Sequence, residues 1–375
     1  MTRLYPLIAA VLLLLLGGGI LFHIWHRQPL PATSTNHRYE QYEYGRGDAA
    51  KVIDLGFVPT SMYTSFLSEC LLHDRILKKQ LAAEGWTIRA HSYSIGIDMF
   101  PYADGRLDMM ILGDIGAFTA LQTLNMGLFA LNSESEVTII ANRRLTPQDL
   151  KGKRIAYNTG TVTHFAVYRA LAASHLAIND IITVPMDRAL MENALLNNQV
   201  DAVAATEPFT TAILKDIPRT KVISTFPVAF YFASDLGFAT RNATQLKTVL
   251  AALVRAAHWG RQDDAHLLQC LQWILEDQSK FIGKKSLAID PNWIQELRKA
   301  TIDNPSFPML PLDINHVNSI QHQQFEFLKI ARIIPATAQW EQLAIRFHGE
   351  FLPEIIQDGA KWQIDNFEYE TGKTP

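Results

Sequence analysis

From Lys51 to Ala205 short apolar, β-branched runs alternate with amphipathic stretches of helical period, and that alternation confines the chain to α/β architectures built on parallel strands. Lys51 to Phe57 places Ile53, Leu55 and Phe57 at every second position, as a strand does, before Pro59, Thr60 and Ser61 break it. Met62 to Glu84 repeats Phe66, Cys70, Leu77 and Leu81 near the helical period and stops at Gly85. Strands are expected at Thr87 to Ser92 and at Leu107 to Leu112, the latter ending in Gly113. After Val137 to Ala141, read as a strand passing between lobes, a second α/β unit begins. Its strands are expected at Arg154 to Tyr157, Ile181 to Val184 and Val200 to Ala205, with helices at Thr163 to Ala173 and Asp187 to Asn198. Beyond Ala243 the patterns become long and helical, at Leu246 to Trp259, Leu267 to Leu275, Trp293 to Ala300, Val317 to Ile330 and Trp340 to Phe351. Open α/β sheets bind ligands at the carboxyl ends of their strands, so the loops there are where function is sought.

The N-terminus carries a different signal. Leu4 to Trp25 contains no charged side chain apart from the weakly basic His23, and a helix over it would span roughly 33 Å, about one bilayer core. Residues 1–27 are therefore expected to be a signal anchor, a transmembrane helix, with cleavage of a secretory signal as the alternative. Residues 28–50, rich in Pro, Thr, Ser, Asn, Tyr and Gly, read as a solvated linker. Lipoprotein attachment is unexpected, because the two cysteines, Cys70 and Cys270, lie far from this segment and read as buried thiols. A net charge of -3 with 19% charged residues of interspersed sign offers no basic face for nucleic acid. There is no phosphate-binding Gly-Lys-Ser/Thr loop and no Ser-His-Asp signature. His73, His164, His175 and His258 are too scattered for a metal site, so neither cofactor nor metal is implied.

Asp149-Leu150-Lys151-Gly152-Lys153-Arg154-Ile155-Ala156 leads to Asn158-Thr159-Gly160-Thr161 at the start of a helix. Leu190, Asn193, Ala194 and Leu195 then lead to Gln199-Val200-Asp201-Ala202-Val203 and Glu207-Pro208-Phe209, while Asp104-Gly105-Arg106-Leu107-Asp108 precedes Leu112-Gly113-Asp114. In order and spacing these segments resemble the nitrate/sulfonate/taurine-type substrate-binding proteins of ABC importers, over roughly Lys51 to Leu275. Pro101, before Gly105, and Thr206, where an aromatic often precedes the Glu-Pro pair, depart from that pattern. The resemblance implies a two-lobed periplasmic-binding-protein-like clamp, here joined to the N-terminal transmembrane anchor. Lobe 1 would comprise residues 51–141 plus 229–375 and lobe 2 residues 142–228, with crossovers at Val137 to Ala141 and Ala229 to Ala233. It further implies a monomeric receptor at the periplasmic face of the cytoplasmic membrane, anchored or cleaved to a soluble form, with an ABC permease and ATPase as partners. The ligand would be a small zwitterion, a sulfonate or carboxylate, or a heterocycle.

Ligand contacts are expected from strand ends and helix starts. Asn158, Thr159, Gly160, Thr161 and Thr163 offer N–H groups and hydroxyls at a helix N-terminus, suited to an anion or serving as an ordinary cap. Asp114 and Glu207 would present a carboxylate from each lobe to an amine, or answer helix dipoles. Ser61, Met62 and Tyr63 begin the first helix, and Tyr231 could supply an aromatic face, as could Tyr157 and Phe230. Two alternatives remain open: a receptor reporting to a membrane signalling partner, and an enzyme resembling thiamin-pyrimidine synthases, whose cysteine- and histidine-rich motif this sequence lacks.

Overall fold

The computed structural model describes residues 37–45, 50–285, 287–304, 307–311, 316 and 319–370. Residues 1–42 make up one unit, whose described part is the short helix His37–Glu40 and its turn, and residues 43–375 make up the other. The second unit is built on β1 (Val52–Phe57), β2 (Thr87–Ser92), β3 (Met109–Gly113), β4 (Met126–Ala141), β5 (Arg154–Tyr157), β6 (Ile182–Pro185), β7 (Ala202–Ala205) and β8 (Lys221–Asp235). They form one eight-stranded sheet in the order β2-β1-β3-β8-β4-β7-β5-β6.

Two lobes emerge from the pairing. β1 runs parallel to β2 and β3, and β5 runs parallel to β6 and β7. Between these parallel sets lies a long antiparallel ribbon of β4 and β8, paired from Met126↔Asp235 to Ala141↔Lys221. One end of the ribbon joins the first set through β3 and the other joins the second through β7. The expected strand at Val137 to Ala141 is the last third of β4. Its earlier part was hidden because Asn132 to Glu136 interrupt the apolar pattern, and Glu134 and Glu136 are exposed at the middle of the ribbon, where neither parallel set covers it.

Helices cover both lobes. α1 (Met62–His73) and α2 (Arg75–Ala83) occupy the stretch read as one helix. The break falls at Asp74, whose carboxylate accepts from the N–H groups of Ile76 and Leu77 at 2.8 and 3.0 Å and so starts the second helix. α3 (Asp114–Thr123) follows β3, α4 (Val162–Ala172) follows β5, α5 (Arg188–Leu196) follows β6 and α6 (Phe209–Asp216) follows β7. In the second lobe Ile140, Ala156, Val203, Met191, Leu195 and Ile213 pack into one apolar core. α7 (Leu236–Arg241), α8 (Ala243–Gln262), α9 (Asp264–Ile282), α10 (Asn292–Ala300) and α11 (Ile320–Ile330) return to the first lobe. The segment Trp340 to Phe351, expected as one helix, is instead α12 (Trp340–Ala344) and the start of α13 (Phe351–Gln357). Between them the chain pairs with the sheet, Leu128 donating to the Arg346 carbonyl and accepting from the His348 N–H.

The expected transmembrane anchor is corrected. Among the described residues no helix is long and apolar enough to cross a membrane; Leu4–Trp25 itself lies outside them. The longest described helix, α8 with 20 residues, carries Lys247, Arg255 and Arg261 and packs on α1, α2, α9 and α13, so it is a helix of the fold's own core. The anchored localisation and the membrane partnership through an N-terminal helix are withdrawn with the anchor.

Candidate functional site

Strand ends from both lobes converge on one cleft. The β1 loop and α1 bring Val58, Ser61 and Thr64, and the short helix after β2 brings Gly96 and Ile97. β3 and α3 bring Ile111, Gly113 and Gly116, while β8 adds Phe230. From the second lobe come Gly160, Thr161 and Val162 at the start of α4 and Arg188 at the start of α5. The cleft is narrow: about 40 Å³ is open to the centre of a water-sized sphere, within an empty space of about 410 Å³ that includes the part open to solvent. Room remains for at least one water. The approach of the lobes requires glycine at position 113, since a Cβ there would lie 2.6 Å from Cγ1 of Val162. Gly160 takes a φ of +75°, which side-chain-bearing residues rarely adopt.

Most of the wall is apolar, and its charge is a single cation. The guanidinium of Arg188 donates a long hydrogen bond of 3.4 Å to the Thr60 carbonyl, across the cleft. Among the described residues no carboxylate lies within 4.0 Å of it. Burial pulls its pKa down to about 10, against a smaller upward pull from Asp187. Three neutral oxygens nearby are buried without a hydrogen-bond partner: Ser61 Oγ on the wall, Thr60 Oγ1 beside it, and Asn158 Oδ1 at the end of β5. Buried polar atoms are ordinarily paired, so these three oxygens keep bonding capacity at or near the cleft wall.

The predicted residues divide by position. Ser61, Gly160 and Thr161 line the cleft. Thr161 caps α4, accepting from the Thr163 N–H at 3.3 Å and donating to the Asn158 carbonyl at 2.8 Å, while the Gly160 N–H faces His164 Nδ1 at 3.3 Å. Burial lowers the His164 pKa to about 4, so the ring stays neutral. Thr163 Oγ1 accepts from the Asn158 N–H, and Thr159 sits half-buried between Asn158 and Gly160. Met62 is buried under the cleft, its N–H reaching the Glu207 carbonyl at 3.4 Å. Tyr63 faces a second hollow at the middle of the ribbon, with Glu134, Ser135, Glu136, Glu296 and Lys299, and burial raises its phenol pKa. Tyr231 is fully buried against Phe118 and Phe347.

The two carboxylates proposed for an amine face protein donors. Asp114 is fully buried and accepts from Ile115 N–H at 2.7 Å, Ala229 N–H at 3.1 Å and the Gln324 amide; burial pushes its pKa up to about 7. Glu207 accepts from the N–H and hydroxyl of Thr211 at 3.1 and 2.9 Å and from Trp293 Nε1 at 3.3 Å, and burial raises its pKa. Arg188 was missed by sequence reading. Its signal was its place, first in the helix after β6, at the same strand ends searched elsewhere.

Comparison with known proteins bears on this arrangement. A family model described as NMT1/THI5 like matches residues 125–264. The chain resembles that family. No curated protein matches it. Among solved structures, the periplasmic aliphatic sulphonate binding protein SsuA from Escherichia coli superposes with a TM-score of 0.61 at 19% identity, covering 80% of this chain and 99% of that one. The periplasmic nitrate-binding protein NrtA from Synechocystis PCC 6803 gives 0.60 at 15% identity, covering 82% and 89%. The desulfurization enzyme DSZB gives 0.54 at 11% identity, covering 82% and 99%. The same two-lobed fold thus serves both binding proteins and an enzyme.

Proposed function

We propose that this protein is an extracytoplasmic solute-binding receptor of an ABC importer that closes on a small oxyanion carrying an apolar substituent. The observation that carries the reading is Arg188, a half-buried guanidinium on the wall of the interlobe cleft with no carboxylate within 4.0 Å among the described residues. A sulfonate or carboxylate there would supply the missing charge and accept from Ser61 and Thr60, while Val58, Ile97, Ile111 and Phe230 would hold its apolar part. We place lobe 1 at residues 51–141 plus 229–375 and lobe 2 at 142–228, hinged where Glu134 to Glu136 face Pro227 to Ala229 on the ribbon. A ligand touching both lobes then favours the closed state over open ones. Neither cysteine, histidine nor carboxylate is present on the described wall, which favours binding over the covalent chemistry of the enzyme reading.

The test is thermal melting of the full-length protein against ethanesulfonate, taurine, nitrate, acetate, putrescine and an aminopyrimidine. A ligand at about 100 times its dissociation constant adds roughly 2.7 kcal/mol to the folded state, a readable upward shift. The expected result is a saturable shift with a sulfonate or carboxylate, weakened at least about tenfold in Arg188→Gln. A shift with putrescine alone, or one indifferent to Arg188→Gln, sinks the anion reading.

A further inference from the structure

Away from the cleft, the fold holds two cysteines, both free and both wholly shielded from solvent. Cys70 lies on α1 and Cys270 on α9, and these helices make the most extensive helix-to-helix contact among the described residues. Their sulfurs are 3.2 Å apart across 200 residues of chain. A disulfide places its sulfurs about 2.05 Å apart, so the remaining closure is about 1.1 Å, within reach of small χ1 rotations. The surrounding packing holds the helices in this register: the His73 ring stacks on Trp273 at 3.9 Å, about one turn from either sulfur. A metal is not the occupant the neighbours favour, since no group of three or more His, Cys, Asp or Glu side chains among the described residues could hold one.

We propose that Cys70 and Cys270 are a redox-modification site that closes to a disulfide joining α1 to α9. The oxidant is a disulfide, whether of a small molecule or of a dithiol–disulfide exchange protein. One cysteine, as thiolate, attacks the oxidant's S–S bond, forming a mixed disulfide and expelling one thiol. The other attacks the protein sulfur of that mixed disulfide, so the Cys70–Cys270 bond forms and the second thiol leaves. Two electrons pass to the oxidant, and the two cysteine protons end on the departing thiols. Because neither sulfur is exposed, the bond forms before packing is complete, and once formed it resists reductants in the native state. The cross-link closes a long loop, which favours a large effect on stability. It also ties α1, which starts just after Ser61 of the cleft wall, to α9, which precedes α10 and its Trp293, a donor to Glu207.

The experiment refolds the reduced full-length protein with oxidised glutathione and, separately, with dithiothreitol. Each sample is then denatured, alkylated with iodoacetamide and weighed intact. The expected oxidised product takes up no alkyl group, is lighter than the reduced chain by two hydrogens, and keeps its disulfide when the native protein meets dithiothreitol. It melts several degrees above the reduced form, whereas Cys270→Ser melts alike under both conditions. Two alkylated thiols in folded protein recovered from oxidised glutathione, or glutathione adducts and linked dimers in place of the internal bond, would overturn the proposal. A disulfide in a protein that binds no oxyanion would support it all the same, and would count only against the receptor reading.

Discussion

At the scale of single residues, the ionisable groups with the largest consequences are those buried without full compensation. Glu69 is such a group: burial pushes its carboxyl up to about 8, its Oε1 has no hydrogen-bond partner, and Asp277 adds a like charge. Asp114, pushed up to about 7, titrates in the same direction. Both folded-state values lie above the unfolded ones, so the protonated forms stabilise the fold. That stability is complete below the ordinary carboxylate range and is lost as pH rises through about 7 to 8. Urea midpoints should therefore fall between about pH 5 and 8 by an amount worth on the order of a few kcal/mol, and Glu69→Gln should flatten the fall and raise the midpoint at pH 8. A wild-type midpoint independent of pH over that range would contradict the assignment.

At the scale of elements, the join between α1 and α2 depends on one side chain. Asp74 caps α2 with one carboxylate oxygen and with the other accepts from Nε of Arg255 on α8 at 2.8 Å, both partners being fully buried. Arg255 also donates to the carbonyls of Trp362 and Gln363, at the end of the short helix Gly359–Trp362. Asp74→Ala removes the cap and leaves a buried cation unpaired, for an expected loss of about 3–5 kcal/mol. Asp74→Asn keeps a capping oxygen and should still lose most of that amount, because charge is the larger part. Urea unfolding with an unchanged m-value measures both losses. Asn behaving as wild type would make the cap, not the ion pair, the chief contribution.

At the scale of the whole molecule, the antiparallel ribbon decides what the two lobes can do. Its ends belong to different parallel sets, its middle is exposed, and Asp114 reaches that middle through the N–H of Ala229. Closure brings Gly113 against Val162, although Gly113 itself has φ -66° and ψ 156°, a conformation alanine adopts freely. Gly113→Ala should thus be tolerated by the open fold and resisted by the closed one. The expected outcome is a dissociation constant raised about tenfold or more by calorimetry, with the ligand-free melting temperature nearly unchanged. Unaltered affinity would mean that ligand binding does not require this approach of the lobes.

The alternation of strands and helices, the stop at Gly113 and the turn at Asn158 to Thr161 were legible in the sequence, because periodicity and capping are local and act over a few neighbouring residues. The order of those segments also sufficed for the resemblance. Other features were settled beyond that range. The start of β4 at Met126 was obscured because the ribbon's polar middle imitates a loop, and the helix expected over Trp340 to Phe351 is broken by pairing with distant Leu128. Asp114 and Glu207 read either as ligand carboxylates or as answers to helix dipoles, and the donors they meet, Gln324 and Trp293, come from far along the chain. Arg188 has the converse history: nothing local distinguishes it from any charged first-turn residue, and only the tertiary structure brings it, half-buried, to the Thr60 carbonyl across the cleft with no carboxylate beside it among the described residues. Partnership between residues distant in sequence is a property of packing, and here packing decided which charges found partners within the protein.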